Sequence, residues 1–356
     1  MRSGDPRRTK SRRETTPSVL KNAIVTKLDQ RIVAKGEIEF PCVPALLDTF
    51  MARLVALFTA MGKPFSDEEL ENLRRAVQTV TEQGYRFSSQ ARTVVAYETQ
   101  APPEPGIAYR VFPRAPSTND VYAGWVSSRA GSLFGARADA KVIAVAESLG
   151  APESVRVLDV GAGTGRNAIP LARRGHPVTA IEPAGALAAE LRKAARDAEV
   201  RVDVVEADAL SGDVALEPGR FHLAVLAEVV PHLRSATELR TLLAKVGAAV
   251  APGGRLLFNA FVALEGYKPD AIARQVGEVA WSGMFTRAEL AFVTEELPFE
   301  RVSDEGAFDY EKAHTPPEAW PPTPWFPDWA LGRNVFALPP GRAPVELRWL
   351  DHRRRE

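Results

Sequence analysis

Three closely spaced glycines that follow a short apolar segment constrain the fold of this chain more than any other feature. The segment Val157–Val160 leads into Gly161, Gly163 and Gly165, and a helical pattern of apolar residues begins at Ala168. Glycine reaches positive φ and lets a ligand approach the main chain, and a helix N-terminus offers free N–H groups. The pattern therefore predicts a strand, a tight turn and a helix N-terminus that together bind a nucleotide-like ligand.

Strand and helix patterns alternate after this turn. Strand patterns at 178–181, 202–205, 223–227 and 255–261 are interspersed with helical patterns at 187–195 and 239–250. Such alternation is typical of a parallel sheet with helices on both faces. Strands near 299–304 and 346–350 would extend it. The predicted fold class is α/β: a doubly wound, mostly parallel seven-stranded sheet with helices on both faces, plus an N-terminal helical and β accessory region.

Residues 38–135 are predicted to form that accessory region. Helical patterns at 44–61 and from Ser66 onward indicate a hairpin, and Gly84 is expected to end its second helix. Strand patterns at 93–98 and 107–112 follow, with the proline-rich segment 101–106 as the turn between them.

Two segments, residues 1–37 and the region near 315–329, deviate from these regular patterns. Residues 1–37 are expected to be a largely disordered basic tail and linker, with a nucleic-acid-binding arm as the alternative. Residues 136–356 should form the α/β domain. It includes a Pro/Trp-rich insertion near 315–329 that has too many prolines for a helix or an inner strand.

Composition excludes several classes of protein. The chain has 356 residues and a formal net charge of zero, so a nucleic-acid partner is not indicated. Its single cysteine, Cys42, excludes an internal disulfide and a Cys-rich zinc site, and we expect no metal. No apolar segment is long enough for a membrane span and no secretory signal is recognisable, so we expect no membrane partner and take the cytoplasm as the default location.

The glycine spacing separates two families of nucleotide-binding loops. The dinucleotide fingerprint is G-x-G-x-x-G, but here the third glycine comes one residue early. Asp159–Gly165 instead resembles motif I of the class I S-adenosylmethionine (SAM)-dependent methyltransferases, and Ala251–Gly254 resembles a turn signature of the same family. The resemblance implies a Rossmann-like fold, SAM as cofactor and a transferase of the EC 2.1.1 type. The whole chain resembles bacterial proteins known only as members of this family.

Acidic residues at successive strand ends complete the predicted cofactor site. The resemblance implies that Asp159 holds the SAM ammonium and that Asp208 accepts from the adenine amine. Glu182 can accept hydrogen bonds from both ribose hydroxyls, because a carboxylate offers two acceptor oxygens. The predicted cofactor-binding residues are Asp159, Gly161, Ala162, Gly163, Gly165, Arg166, Asn167, Glu182, Asp208, Ala209 and Glu228.

His232 and Glu228, at the end of the fourth strand, are the candidate catalytic residues. His232 could deprotonate a hydroxyl or a thiol, since imidazole titrates near neutral pH, or it could be structural. Glu228 could orient a substrate or bind the cofactor through water. The Asn/Asp-Pro-Pro-Tyr motif of amide and nucleobase methyltransferases is absent here, because Ala227–Val230 stands in its place.

Weaker candidates lie outside these motifs. Asn259 and Tyr267 could face a substrate cavity, and by fold analogy the helix containing Asn119, Tyr122 and Trp125 could close over SAM. Aromatic residues of the C-terminal part could form a substrate lid or, as we favour, cap an apolar edge of the sheet; they are Tyr310, His314, Trp320, Trp325 and Trp329.

Three functional hypotheses follow. The first is methyl transfer to an O, N or C atom of a small molecule or natural product. The second is methylation of a peptide or protein that docks on the N-terminal region, and the third is SAM binding without turnover. A closed pocket would favour the first, and a long groove lined by residues 38–115 would favour the second. The oligomeric state stays open.

Overall fold

A computed structural model of the chain describes residues 13–100, 106–128, 133–135, 137–212 and 214–356. The chain divides into two compact units. The first comprises the residues up to Phe87 together with Ala91–Arg114, and the second comprises Ser88–Gln90 together with Ala115–Glu356. Within the described ranges, no helix combines the length and the apolar character that crossing a bilayer requires.

The first unit combines three helices with a small antiparallel sheet. Its elements are α1 (Pro17–Asp29), β1 (Lys35–Pro41), α2 (Leu47–Ala60), α3 (Asp67–Phe87), β2 (Arg92–Gln100) and β3 (Gly106–Arg114). β2 is the central strand and pairs antiparallel with β1 and β3. These elements match the predicted helical hairpin and two strands, and they add β1.

Part of the segment predicted as a basic tail and linker is helical. Residues 17–29 form α1, which starts with Pro17, a residue whose fixed φ suits the first helical turn. No side chain of this helix is buried, so the helix adds nothing to the apolar core of the first unit. The tail over residues 1–12 and the proline-rich turn at 101–105 lie outside the described residues.

Gly84 does not end α3 as predicted, because the helix continues to Phe87. A β-carbon at position 84 would lie 2.4 Å from the sulfur of Cys42. Glycine is therefore needed there for close packing rather than for helix termination. The start of α3 is as expected, with the Ser66 hydroxyl accepting from the Glu69 amide and the Glu69 carboxylate accepting from the Ser66 amide.

The second unit is built on one large sheet, which confirms the predicted fold class. Its strands are β4 (Val157–Val160), β5 (Val178–Ile181), β6 (Val202–Val205), β7 (Phe221–Leu226), β8 (Val250–Ala263), β9 (Met284–Phe285), β10 (Phe299–Gly306) and β11 (Val345–Arg354). The order is β10-β11-β8-β7-β4-β5-β6, with the short β9 beside β8. Strands β4 to β8 are parallel, whereas β11 is antiparallel to both of its neighbours.

Helices cover both faces of this sheet: α4 (Thr118–Ser128), α5 (Ala140–Glu147), α6 (Ala168–Arg173), α7 (Gly185–Asp197), α8 (Ala236–Ala249), α9 (Ala271–Val279), α10 (Arg287–Thr294), α11 (Ala307–His314) and α12 (Phe326–Ala330). Alternate strand residues point into two apolar cores. Val157 and Leu257 belong to the core shared with α5, α6, α11 and α12, while Leu158 and Phe258 face α8 and α10.

Three details of the second unit differ from the expectations. Helix α4 packs against α7, so the boundary between the units falls at Arg114 and not at residue 135. The Pro/Trp-rich segment contains α12, which tolerates Pro327 because the proline occupies its first turn. Ala251–Gly254 are assigned to β8 rather than to a turn before it, but they bulge out of the β7–β8 pairing, which passes from Val250 directly to Arg255.

Candidate cofactor site and adjoining aromatic cavity

A cavity of about 810 Å³ opens at the carboxyl ends of the parallel strands. The residues that follow β4, β5, β6 and β7 all contribute to its lining, which is where ligands bind in open parallel sheets. The predicted cofactor residues among the lining are Asp159, Gly161, Ala162, Gly163, Arg166, Asn167, Glu182, Asp208, Ala209 and Glu228.

The three glycines of the loop all have positive φ, as expected, but they serve different purposes. At Gly165 a β-carbon would lie 2.3 Å from Cδ1 of Leu191, and at Gly161 it would lie 2.5 Å from Cγ2 of Val229. At Gly163 it would meet only the Phe134 ring, at 3.4 Å. Gly165 lies beneath the loop and does not line the cavity, so its contribution is to the packing of the loop.

Glu182, at the end of β5, holds the glycine loop from the side. Its two carboxylate oxygens accept hydrogen bonds from the Gly163 amide at 2.8 Å and from the Ala184 amide at 2.9 Å. Burial raises the pKa of Glu182, and these two hydrogen bonds oppose that shift. Each oxygen has a second acceptor position, so the carboxylate retains capacity for a ligand in the cavity.

Asp159 presents a buried carboxylate oxygen that is not satisfied. The side chain is only 2% exposed, and Oδ2 has no hydrogen-bond partner among the described residues. Burial raises the pKa of Asp159 to about 7, although the nearby Arg166 guanidinium opposes the shift. Because buried polar atoms are nearly always paired, an oxygen in this state beside a cavity indicates a donor or a cation from a ligand.

Arg166 and Asn167 connect the loop to a residue that the sequence analysis missed. The buried Arg166 guanidinium forms ion pairs with Asp139 and, at 2.7 Å, with Glu228. The Asn167 amide donates to the Asp139 carboxylate at 3.0 Å and its oxygen accepts from the Asp139 backbone N–H. Asp139 precedes α5 and resembles an ordinary helix N-cap in the sequence, so no local signal distinguishes it.

Glu228 has an unusual backbone conformation at the end of β7. Its φ is +62°, a left-handed value that costs free energy for any residue except glycine. The backbone N–H of Glu228 donates to the side-chain oxygen of Asn259 at 2.7 Å. Burial raises the pKa of the Glu228 carboxyl, and the ion pair with Arg166 opposes it. Asn259 therefore supports Glu228 from behind and does not line the cavity.

Asp208 and Ala209 follow β6 and line the far side of the cavity from β7. One carboxylate oxygen of Asp208 accepts from the Leu210 backbone N–H at 2.8 Å, which fixes the turn after the strand. Both predicted residues thus lie at the cavity, and their contact with a cofactor stays a prediction.

His232 lies in a short 3-10 helix, Val230–His232, directly after β7, and its ring faces the cavity. The exposed surface of the ring lies inside the cavity, and the surrounding protein, which replaces bulk water, lowers the pKa of His232 to about 4. The imidazole has no hydrogen-bond partner within the described part of the chain, and it is neutral at pH 7.

Five aromatic residues form what we call the aromatic wall of the cavity: Tyr122, Trp125, Trp281, Trp325 and Trp329. The ring centre of Trp281 lies 4.8 Å from that of Trp125 and 5.4 Å from that of His232. Trp281 also has a left-handed φ of +49°. Its backbone oxygen accepts a hydrogen bond from the Trp329 indole at 3.0 Å. The sequence analysis missed Trp281, which stands alone between α9 and β9 without a motif.

The remaining candidates separate into two groups. Asn119, Tyr122 and Trp125 of α4 line the cavity, as the fold analogy suggested. Trp325 and Trp329 do so too, although we favoured a capping role for the aromatic residues of the C-terminal part. Trp329 fulfils both roles, since its ring also packs on Phe261 of β8. The others lie outside the lining, where His314 stacks on Tyr310, Trp320 packs on Phe308, and Tyr267 packs on Phe336.

Comparison with known proteins identifies the domain that carries this cavity. Residues 157–254, from β4 to the start of β8, match the methyltransferase domain family. This part of the chain is therefore similar to the class I SAM-dependent methyltransferases. The cofactor of that family is SAM. Among the described residues, no group of three or more His, Cys, Asp and Glu side chains is arranged to hold a metal ion.

The similar proteins differ in their stated activities. The ubiquinone biosynthesis O-methyltransferase of Methylocella silvestris is 36% identical over 110 residues, which is 30% of this chain and 40% of that protein. This chain thus spans less than half of the relative it matches. The geranyl diphosphate C-methyltransferase structure from Streptomyces coelicolor is 14% identical, with a TM-score of 0.48 over 68% of this chain and 100% of that chain. A SAM-dependent methyltransferase from Methanosarcina mazei is 16% identical, with a TM-score of 0.40 over 57% of this chain and 93% of that chain.

Proposed function

We propose that this protein transfers the SAM methyl group to a hydroxyl oxygen of a small molecule. The observation that carries the proposal is one continuous cavity that joins the glycine loop and the unsatisfied Asp159 oxygen to the aromatic wall and His232. The first part has the groups that SAM requires, and the second has room for an acceptor beside a free imidazole.

The residues present fit the cofactor. A cationic ammonium would satisfy Asp159 Oδ2, the buried oxygen that has no partner among the described residues. Glu182 has free acceptor positions for ribose hydroxyls, and Asp208, which follows β6, can accept from the adenine amine. Gly163 faces the cavity without a side chain, so the main chain there can contact a ligand directly.

The proposed chemistry depends mainly on positioning. When bound, SAM supplies an electrophilic methyl group on a sulfonium sulfur. His232, neutral at pH 7, accepts the proton of the acceptor hydroxyl at an imidazole nitrogen. The aromatic wall orients the acceptor and excludes water from the reacting atoms. Glu228, paired with Arg166, fixes the turn that carries His232.

The lining of the cavity supports a small molecule as the acceptor. All its lining residues belong to one unit, Ser88–Gln90 and Ala115–Glu356, and they surround about 810 Å³. The O-methyltransferase name of the curated relative agrees with a hydroxyl acceptor. The intact loop and strand-end acids argue against a protein that binds SAM without turnover.

The test is calorimetric titration with SAM and with S-adenosylhomocysteine. We expect the wild type to bind both, and Glu182→Ala to bind them about 10- to 100-fold more weakly, because a hydrogen bond to a charged group contributes about 1.5–3 kcal/mol. Glu182→Gln retains an acceptor oxygen and should lose less.

Glu206→Ala is the matched control, since Glu206 also follows a parallel strand but pairs with Arg192 outside the cavity. Thermal unfolding of each variant shows whether the loop that Glu182 holds remains folded. Failure of the wild type to bind S-adenosylhomocysteine would refute the proposed function. An unchanged affinity in Glu182→Ala would refute the assignment of Glu182 to the ribose.

A further inference from the structure

We infer that the acceptor is a planar, uncharged aromatic molecule with a ring hydroxyl, which stacks on Trp281 beside His232. The inference rests on the proposed function and specifies its substrate class. Three observations carry it: the charges along the cavity, the hydrogen-bonded backbone turn that carries Trp281, and the contact between the Trp281 indole and the His232 ring.

The charges argue against an anionic acceptor. Among the described lining residues, Arg166 is the basic one, and it is already engaged by Asp139 and Glu228. A phosphate or carboxylate in this cavity would meet carboxylates, and the described lining residues offer it no free cationic side chain as a hydrogen-bond donor. The sulfonium that the proposed function places beside the acceptor disfavours a cation, and it has no N–H group with which to hold an anion. An uncharged acceptor avoids both costs.

The turn that carries Trp281 is held by backbone hydrogen bonds and close packing. The backbone of Trp281 is fixed by the hydrogen bond from Trp329 and by a bond of 2.7 Å from the Ser282 N–H to the Gly277 oxygen. The next residue, Gly283, donates to the Pro231 oxygen at 2.9 Å, and a β-carbon there would lie 2.7 Å from the Leu233 oxygen. The turn that carries Trp281 is thus packed directly on the turn that carries His232.

This packing places a stacking surface next to a proton acceptor. The ring centre of Trp281 lies 5.4 Å from that of His232 and 5.6 Å from that of Tyr122. Trp281 is half-buried, so a ligand ring can contact only the part of the indole that lines the cavity. An aromatic ring lying on the indole would therefore bring a substituent at its edge within reach of the imidazole. A phenolic hydroxyl suits a weakly basic histidine better than an aliphatic one, because its pKa, about 10 as in tyrosine, is closer to that of the acceptor nitrogen.

The experiment uses three probes that share a framework of two fused six-membered rings, on protein saturated with S-adenosylhomocysteine. They are 2-naphthol, 2-naphthoate and decahydro-2-naphthol, and the dissociation constants are measured by calorimetry. We expect 2-naphthol to bind at least about tenfold more tightly than the anionic or the non-planar probe. Equal or tighter binding of either, or no binding of 2-naphthol at millimolar concentration, would overturn the inference.

Variants of Trp281 test whether the preference for 2-naphthol depends on the aromatic wall. Trp281→Leu should weaken 2-naphthol binding by about 2- to 12-fold, because leucine cannot form an aromatic pair with the naphthol ring, and Trp281→Phe should restore most of the affinity. Affinity for S-adenosylhomocysteine should not change in either variant. Trp320→Leu is the control, because Trp320 packs on Phe308 outside the cavity. If Trp281→Leu binds 2-naphthol as the wild type does, the stacking assignment is wrong.

Separate readouts distinguish failure of the inference from failure of the proposed function. If S-adenosylhomocysteine does not bind, the proposed function fails. If it binds but the naphthol preference is absent, only the acceptor class is wrong.

Discussion

The two halves of the cavity are built in opposite ways. The cofactor half comes mainly from one continuous segment, Asp159–Asn167, with single residues added from the ends of β5 and β6. The aromatic wall is assembled from α4, the turn before β9 and the region of α12, which are far apart in the chain. Local sequence therefore encodes the cofactor half, whereas the wall exists only once the sheet has formed.

The halves also differ in what holds their parts in place. In the cofactor half, main-chain amides and buried charges fix the geometry, as in the hydrogen bonds of Glu182 and the ion pairs of Arg166. In the wall, ring contacts and one indole-to-carbonyl hydrogen bond fix it. Substitutions in the two halves should therefore affect different measurements.

The largest expected effect comes from His232→Ala, which tests whether His232, beside the aromatic wall, acts as the general base. Turnover should fall about 10²- to 10⁴-fold, the usual contribution of a general base. Affinity for S-adenosylhomocysteine should change little, because His232 lies beyond the cofactor groups. His314→Ala is the control, since His314 stacks on Tyr310 outside the cavity. Steady-state rates with the acceptor and calorimetry with S-adenosylhomocysteine measure the two quantities. If turnover and affinity for S-adenosylhomocysteine fall by the same factor, His232 contributes to cofactor binding and not to the chemical step.

The next effect compares two glycines of the same loop. Gly165→Ala should lower the free energy of unfolding by about 2–5 kcal/mol, because overpacking costs about 1–3 kcal/mol and a left-handed alanine about 1–2. Gly163→Ala should cost only the backbone part, since its added carbon would lie 3.4 Å from the Phe134 ring. Denaturant unfolding of the two variants gives the comparison. If Gly163→Ala is the more destabilising change, the packing role of Gly165 is wrong.

The smallest effect is a pH dependence of cofactor binding. The pKa of Asp159 is raised from 3.8 to about 7 in the folded protein, so its contribution to folding stability is greatest below pH 3.8 and declines as pH rises towards 7. A bound ammonium favours the ionised carboxylate. The affinity for S-adenosylhomocysteine should therefore rise with pH, by at most about tenfold per unit, and level off above about pH 7.

Asp159→Asn provides the reference for this measurement. Burial also raises the pKa values of Glu182 and Glu228, and these two groups remain in the variant. Calorimetric titrations between about pH 5.5 and 8 should give a shallower slope for Asp159→Asn than for the wild type. Identical slopes would assign the pH dependence to the other carboxyl groups.

The sequence predicted the parallel sheet, the loop and the strand-end acids because each depends on a local period or a fixed spacing. It did not predict Asp139 or Trp281, because their positions at the cavity depend on packing between distant elements. Gly84 is a second case in which a distant contact decides the role of a residue. A glycine near the end of a helical pattern was interpreted as a stop, but its partner, Cys42, is brought in by the tertiary fold.

The hydrogen bond from Trp329 to the Trp281 carbonyl ties a C-terminal segment to the surface that we assign to the acceptor. Insertions, deletions or exchanges near α12 would reshape that surface without touching a single residue of the glycine loop. Descendants of an ancestral enzyme could thus acquire new acceptors while keeping their methyl donor, and swapping the segment around α12 between homologues is a direct route to retargeting the reaction.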